Sequence, residues 1–282
     1  MSGSQSLERR GVSAPLDARS LALRRTIVRM MGAGGRGHLG SAYSLVEILR
    51  VLYDEILRYN AADVRWPERD RCILSKGHGC LALYALLADK GFFPESELWK
   101  FCRADGLLGG HPEFGKVPGV EASTGSLGHG LAIGIGFALA AKQRRASHRV
   151  FAIMSDGECN EGSVWEAAMC AAKHRLSPLT VIIDYNKQQS YGSTAEVLDL
   201  EPFAQKWAAF GFAVEEVDGH SLSALRQVFG RLPLAADRPS AVICHTVKGK
   251  GIAFAESNPE WHHKSKVGEG DMQKLLKALE PS

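Results

Sequence analysis

Several features that assign proteins to common classes are missing from this 282-residue sequence. Its six cysteines, at 72, 80, 102, 159, 170 and 244, contain no CxxC pair and follow no regular spacing. That pattern excludes a zinc ribbon and a disulfide framework, and it leaves free thiols in a reducing compartment. No apolar run is long enough to span a bilayer. The longest, residues 131–141, is short and interrupted by glycine. The first fifteen residues, MSGSQSLERRGVSAP, lack the apolar centre of a signal peptide, so a cytoplasmic location is expected. Lys and Arg never gather into a block, and the net charge of +3 is spread along the chain. Neither nucleic acid nor a membrane surface is therefore expected as a partner. There is no internal repeat, low-complexity tract or linker.

What is present is an ordinary globular composition, 45% hydrophobic and 23% charged, enough to bury a large core. Residues 1–15 read as a loose arm and 16–282 as one domain. Leu23, Ile27, Met30 and Met31 recur at helical spacing, closed by Gly32. A second helix is expected over 44–57, with Ser44 as N-cap and Glu47 completing a capping box. Apolar strands then fall at 71–74, 150–154, 179–183, 213–217 and 241–244. Helices over 81–90, 130–144, 164–174, 202–209 and 222–229 lie between or after them. This alternation predicts an α/β fold, a mostly parallel sheet with helices on both faces. Two segments, 92–124 and 247–270, are irregular, and long irregular segments in a compact domain are usually functional.

Ligands of open parallel sheets bind at the carboxyl ends of the strands. Four of the five strands are followed by polar, glycine-rich sequence: Ser75-Lys76-Gly77-His78, Ser155-Asp156-Gly157 running on to Glu161-Gly162, Asp184-Tyr185-Asn186-Lys187, and His245 to Gly251. Asp156 and Asn186 stand thirty positions apart, each just past a strand, with one helix between them. A carboxylate and an amide carbonyl are hard oxygen ligands suited to Mg²⁺, which keeps further positions for phosphate oxygens. Gly157 would let a phosphate approach the backbone closely. Singly, an Asp-Gly turn and a loop Asn would signify little; together they point to a metal-diphosphate site. The run from Gly32 to Gly37 fits GxGxxG but follows a helix rather than a strand, so it is not a dinucleotide fingerprint. Gly130 and Gly134 read as close-packing positions. Of the ten histidines, His148 and His174 read as surface residues, and His129, His220 and His245 as structural ones.

Ser155-Asp156-Gly157 followed by Asn186 resembles the thiamine diphosphate motif, with Ser155 and Tyr185 departing from its usual residues. Gly37-His38, Ser75 to His78, Gly110-His111-Pro112-Glu113, Thr124 to Gly130, Asp156-Gly157 with Glu161-Gly162, and Trp261-His262 stand in transketolase order. Across roughly residues 16–266 the chain is similar to the N-terminal, diphosphate-binding (PP-type) subunits of split transketolases. The resemblance implies thiamine diphosphate and Mg²⁺ (or Ca²⁺) as cofactors. Asp156, Asn186 and the Gln188 carbonyl would be the metal ligands. His78, Gly125, Leu127, Asp156, Gly157, Glu161, Asn186 and His262 would surround the cofactor, with Leu127 beside its aminopyrimidine ring and Glu161 at the subunit contact. His38, His111 and His262 would line the substrate channel, where imidazole can donate, accept or carry a proton.

By the same resemblance the reaction is ketol transfer. The C2–C3 bond of a ketose breaks, and the two-carbon unit passes to an aldehyde such as a sugar phosphate. The glutamate facing the pyrimidine ring and the residues reading the substrate phosphate would belong to a partner chain carrying the pyrimidine-binding and C-terminal domains, in an α2β2 complex. The rival readings are the α subunit of a 2-oxo acid dehydrogenase and a non-catalytic regulatory homologue.

Overall fold

The computed structural model describes residues 15–280. The arm expected over residues 1–15 lies, apart from Pro15, outside the described residues. The chain opens with helices α1 (Ala18–Gly34), α2 (Leu39–Tyr43) and α3 (Val46–Val51). There follow strand β1 (Arg71–Leu74), α4 (Cys80–Asp89), α5 (Gly130–Arg144), β2 (Val150–Ser155), α6 (Gly162–Lys173) and β3 (Leu179–Tyr185). The remainder comprises α7 (Thr194–Val197), α8 (Phe203–Ala209), β4 (Ala213–Asp218), α9 (Leu222–Phe229), β5 (Ser240–His245) and α10 (Glu269–Lys277).

All five strands are parallel, in the order β1-β2-β3-β5-β4. Strand alternation sends successive residues to opposite faces, and each face has its own core. Phe151 and Ile153 pack with Ile182, Val242 and the residues of α1 to α4. Val150, Ala152 and Met154 pack with Val181, Ile183 and the apolar faces of α5, α6 and α8. Burial on both faces explains why β2, β3 and β5 are fully buried along their length. β4, at the sheet edge, is mostly half-buried and carries Glu215 and Glu216.

The helix expected over 44–57 is divided. α2 ends at Tyr43, α3 begins at Val46, and a π-helical turn runs over Leu52–Ile56. The expected capping box does not form, because tertiary partners claim both side chains. Ser44 Oγ donates to Asp184 Oδ2 at 2.6 Å, and Glu47 binds Arg24 and His220. His148, expected at the surface, is buried. Part of the tail, α10, is helical and packs its Leu275 into the core on the α1 side. Gly134 has no steric need to be glycine, as a Cβ there would meet nothing closer than 3.6 Å. Gly130 does, because a Cβ would lie 2.2 Å from Ser75 Oγ.

Candidate active site

The carboxyl ends of β1, β2, β3 and β5 open into a cavity of about 210 Å³, walled by Lys76 and His78, Gly157, Asn186 and Gln188, and Lys248 respectively. His38, Ser41, Gly125, Leu127 and His262 complete it. Side chains as far apart in sequence as Lys76 and Lys248 therefore share one wall because the strands that precede them lie in one sheet.

Asp184, the penultimate residue of β3, organises the floor. It is fully buried and accepts from Lys76 Nζ, Thr246 Oγ1, Ser44 Oγ (2.6 Å) and Asn186 Nδ2 (3.4 Å). Burial alone would raise its pKa, but the Lys76 ammonium and the hydroxyl donors outweigh burial and hold the carboxyl below its ordinary value. Lys76 is thereby held under the cavity by its ion pair with Asp184. Asp156, on the neighbouring strand, is also fully buried. Its oxygens accept from the backbone N–H of Gly157 (2.7 Å) and of Lys187. Burial and the nearby Asp184 charge raise it to about 7. Asn186 Oδ1 accepts from Gln188 N at 3.1 Å. The Gln188 carbonyl takes Lys248 Nζ at 3.1 Å, and burial with the Lys76 charge lowers that ammonium to about 8.

The histidines converge. The His38 ring lies 5.5 Å from that of His78, 5.6 Å from His262 and 6.3 Å from His111. A fifth, His263, stands 4.5 Å from His38. Burial, reinforced by neighbouring positive charge, lowers His38 and His262 to about 3 and His78 well below its ordinary value. All three are neutral imidazoles at pH 7. Ser190 Oγ lies 3.0 Å from His262 Nε2, and His262 Nδ1 is buried without a partner.

The loop carrying Gly125 and Leu127 is tied down at several points. Thr124 Oγ1 donates to the Leu74 carbonyl at 2.7 Å, and Gly128 N donates to Glu158 Oε1 at 2.9 Å. Glu158 also accepts from Ser75 Oγ and Ser155 N. Gly125 has φ of +140°, and a Cβ there would lie 2.7 Å from the His111 ring, so both backbone shape and space demand glycine.

Most expected site residues are thus brought together: His38, His78, Gly125, Leu127, Gly157, Asn186, Gln188 and His262 line the cavity, with Asp156 beneath it. His111 lines an adjoining cavity instead. Glu161 is exposed at the N-cap of α6, beside Gly128 and away from the cavity wall. Sequence reasoning missed Ser41, Asp184, Glu158, Lys248 and His263. Asp184 was detectable as an acid at the end of an apolar strand, and Lys248 from its Lys-Gly-Lys-Gly run. Ser41, in a short helix, carried no signal.

Two observations test whether these residues suit a metal-bound diphosphate. Among the described residues, Ser41 Oγ and His262 Nδ1 are buried at the cavity without any partner, and such groups are normally satisfied. The wall otherwise supplies hydrogen-bond donors and two ammonium groups, a set suited to an anion. The oxygens of Asp156, Asn186 and Gln188 each retain a lone pair for a hard cation. The residues fit. No group of three or more His, Cys, Asp or Glu forms a metal site among the described residues, as expected for a set of one carboxylate, one amide and one backbone carbonyl.

A parallel sheet with an anion-accepting, histidine-rich cavity at its carboxyl edge defines a diphosphate-cofactor enzyme domain. The chain belongs to the transketolase family: residues 19–280 match the domain described as transketolase, thiamine diphosphate binding domain. It is 41% identical over 261 residues to a subunit of the apulose-4-phosphate transketolase of Actinobacillus succinogenes, covering 92% of this chain and 94% of that one. To the 6-deoxy-6-sulfo-D-fructose transketolase subunit SqwG of a Clostridium species it is 39% identical, covering 86% and 88%. The transketolase structure from Leishmania mexicana superposes with a TM-score of 0.86 at 29% identity, over 94% of this chain and 41% of that one. The chain therefore spans about two fifths of that solved enzyme but nearly the whole of the relatives named as subunits. It is a transketolase subunit, a transferase component that binds thiamine diphosphate.

Proposed function

We propose that this chain holds the diphosphate and metal half of a two-chain transketolase that moves a two-carbon ketol unit from a ketose to an aldehyde. The observation that carries this reading is the convergence of four strand ends on one donor-rich cavity above two buried carboxylates, Asp156 and Asp184. Mg²⁺ would be held by Asp156, Asn186 and the Gln188 carbonyl, with Lys248 and Ser41 toward the diphosphate and Leu127 and Gly125 beside the cofactor's rings. Thiamine diphosphate, when bound, supplies the carbon nucleophile for cleavage of the ketose C2–C3 bond.

The chain's own part is to bind, orient and move protons. His38, His78 and His262 are neutral at pH 7, so each can donate from one ring nitrogen and accept at the other. His262, tied to Ser190 through Nε2, offers Nδ1 to a substrate oxygen. Asp184 fixes Lys76 and Asn186, so the floor needs no rearrangement when an anion arrives. The substrates proposed are sugar phosphates or related anionic sugars, in keeping with the two relatives named for apulose 4-phosphate and 6-deoxy-6-sulfo-D-fructose.

The partner proposed is a chain carrying the pyrimidine-binding and C-terminal domains, in an α2β2 complex. Ile133 on α5 and Met169 on α6, the helix that Glu161 precedes, are exposed apolar side chains available to that chain. Free cysteines throughout the described residues agree with a reducing, cytoplasmic setting. No helix of the described residues is long and apolar enough to cross a membrane.

The test pairs two measurements. Purified chain is assayed for ketol transfer alone and with the partner, and Mg²⁺-dependent thiamine diphosphate binding is measured in the complex. Turnover is expected only with the partner, and Asp156→Ala should abolish cofactor retention. Robust turnover by the lone chain, or unchanged binding in the variant, would overturn the reading.

A further inference from the structure

A second cavity, of about 260 Å³, adjoins the first and shares His38 with it. Its wall carries Arg36, His111 and His263 as well, and none of its lining residues is a carboxylate. The two cavities differ in how their cations are engaged. In the first, Lys76 is bound to Asp184, and Lys248 to the Gln188 and Gln189 carbonyls. In the second, the Arg36 guanidinium is exposed and makes no hydrogen bond or ion pair among the described residues. Five N–H donors in a fixed fork are therefore free at the cavity mouth.

The base of this side chain is nevertheless fixed. Gly37 N donates to the Lys264 carbonyl at 2.9 Å, and Lys264 N returns a bond to the Gly37 carbonyl at 2.9 Å. This bridge joins the Arg36 segment to the segment carrying His262 and His263. The positive charge of Arg36 reaches both His38 and His111, contributing after burial to their lowered pKa values. The His38 and His111 rings are thereby biased toward the uncharged form. The result is one permanent cation beside three imidazoles, with no carboxylate in the lining to neutralise it.

We propose that Arg36 and this second cavity form an anion subsite that reads a terminal phosphomonoester of a sugar whose reacting end lies at His38. The inference rests on the ketol-transfer reading and deepens it: part of the charge selectivity would lie on this chain and not wholly on its partner. A planar guanidinium suits a phosphate through paired N–H donation, which an ammonium cannot reproduce.

The experiment has two arms. In the first, the reconstituted complex is assayed with donor ketoses with and without a terminal phosphate, and separately with aldehyde acceptors with and without one. Arg36→Met is expected to lower kcat/KM roughly 10- to 100-fold for the phosphorylated member of one pair. Its unphosphorylated counterpart and the thiamine diphosphate affinity should be unchanged. Which pair responds tells whether donor or acceptor supplies the phosphate. Arg36→Lys should recover only part of the loss. In the second arm, inorganic phosphate is titrated into full-length chain with isotopically labelled histidines. The His111 and His263 ring signals should shift in the wild type and not in Arg36→Met. Loss of that shift together with no turnover of any sugar would leave the subsite standing and remove the ketol-transfer reading. Equal discrimination and equal phosphate shifts in wild type and Arg36→Met would overturn the subsite.

Discussion

Two clusters of buried charge flank the loop over residues 247–250, and they are built on opposite principles. Behind the loop, Arg24 uses all five of its N–H donors: Nε to the Lys250 carbonyl (2.8 Å), Nη1 to Ser20 O and Glu47, and Nη2 to Tyr43 O and Glu47. Glu47 also receives His220 Nδ1 at 2.8 Å, and His220 Nε2 accepts from Val247 N at 2.8 Å. In front of the loop lies the cavity at the strand ends. There Ser41 Oγ and His262 Nδ1 have no partner, and the imidazoles are held neutral by burial. Burying polar groups is costly unless they are paired. The first cluster meets that cost within the chain and acts as a brace for the loop that carries Lys248. The second leaves it to be met by a ligand. Chemically similar residues therefore serve the fold in one place and function in the other, and the satisfaction of their hydrogen bonds tells them apart.

The largest effect should come from breaking the brace. Glu47→Ala strands a buried guanidinium and should destabilise the chain by about 3–5 kcal/mol in denaturant unfolding. His262→Ala, removing a neutral ring already lacking one partner, should cost less than ~1 kcal/mol of stability. Comparable losses in the two variants would erase the distinction between the clusters.

The activity measurement should invert that order. In the reconstituted complex, His262→Ala and His111→Ala should each lose about 2–4 kcal/mol of transition-state stabilisation, a roughly 30- to 1,000-fold drop in kcat/KM. Folding, read by circular dichroism and melting, should be nearly unchanged. Wild-type rates in both variants would reduce these histidines to structural or solvent-facing residues.

The sequence exposes these clusters unequally. Periodicity located all five strands and most helices, because β2, β3 and β5 are largely apolar and bounded by glycine or polar residues, and even β4 keeps Ala213, Val214 and Val217 around its two glutamates. The four polar strand ends named the cavity, because parallel topology brings the ends of β1, β2, β3 and β5 together. The brace was invisible. Glu47 has the spacing of a capping box with Ser44, and only the packing of α1 against α3 shows that Arg24 claims it instead. His263 was missed for a related reason: its segment is irregular, and without periodicity nothing in the sequence indicates which side chains face inward. His148 was misjudged because a His beside a short loop carries no signature of burial.

Acid stability, the effect that is smallest per pH unit, separates the clusters by pH. In the cavity, His38 and His262 sit at about 3 when folded, against an ordinary value of about 6.5 in the unfolded chain. As pH falls below about 6.5 the unfolded state takes up protons that the folded state refuses. Each such histidine then removes roughly 1 kcal/mol of stability per pH unit until its folded value is reached. In the brace, burial would raise Glu47, but Arg24 and His220 outweigh it and hold the carboxyl far below its ordinary value. Its contribution is complete above the unfolded carboxylate value of about 4.3 and is lost only as pH falls below that. Unfolding free energies of the full chain without added cofactor should therefore start to decline near pH 6.5. His262→Gln should make that early decline shallower. The stability gap between wild type and Glu47→Gln should stay constant from pH 8 down to about 5 and narrow only below it. A gap that narrows already near pH 6.5, or an early decline unaltered by His262→Gln, would mean that the two clusters titrate as one and that the brace is not electrostatically separate from the site it supports.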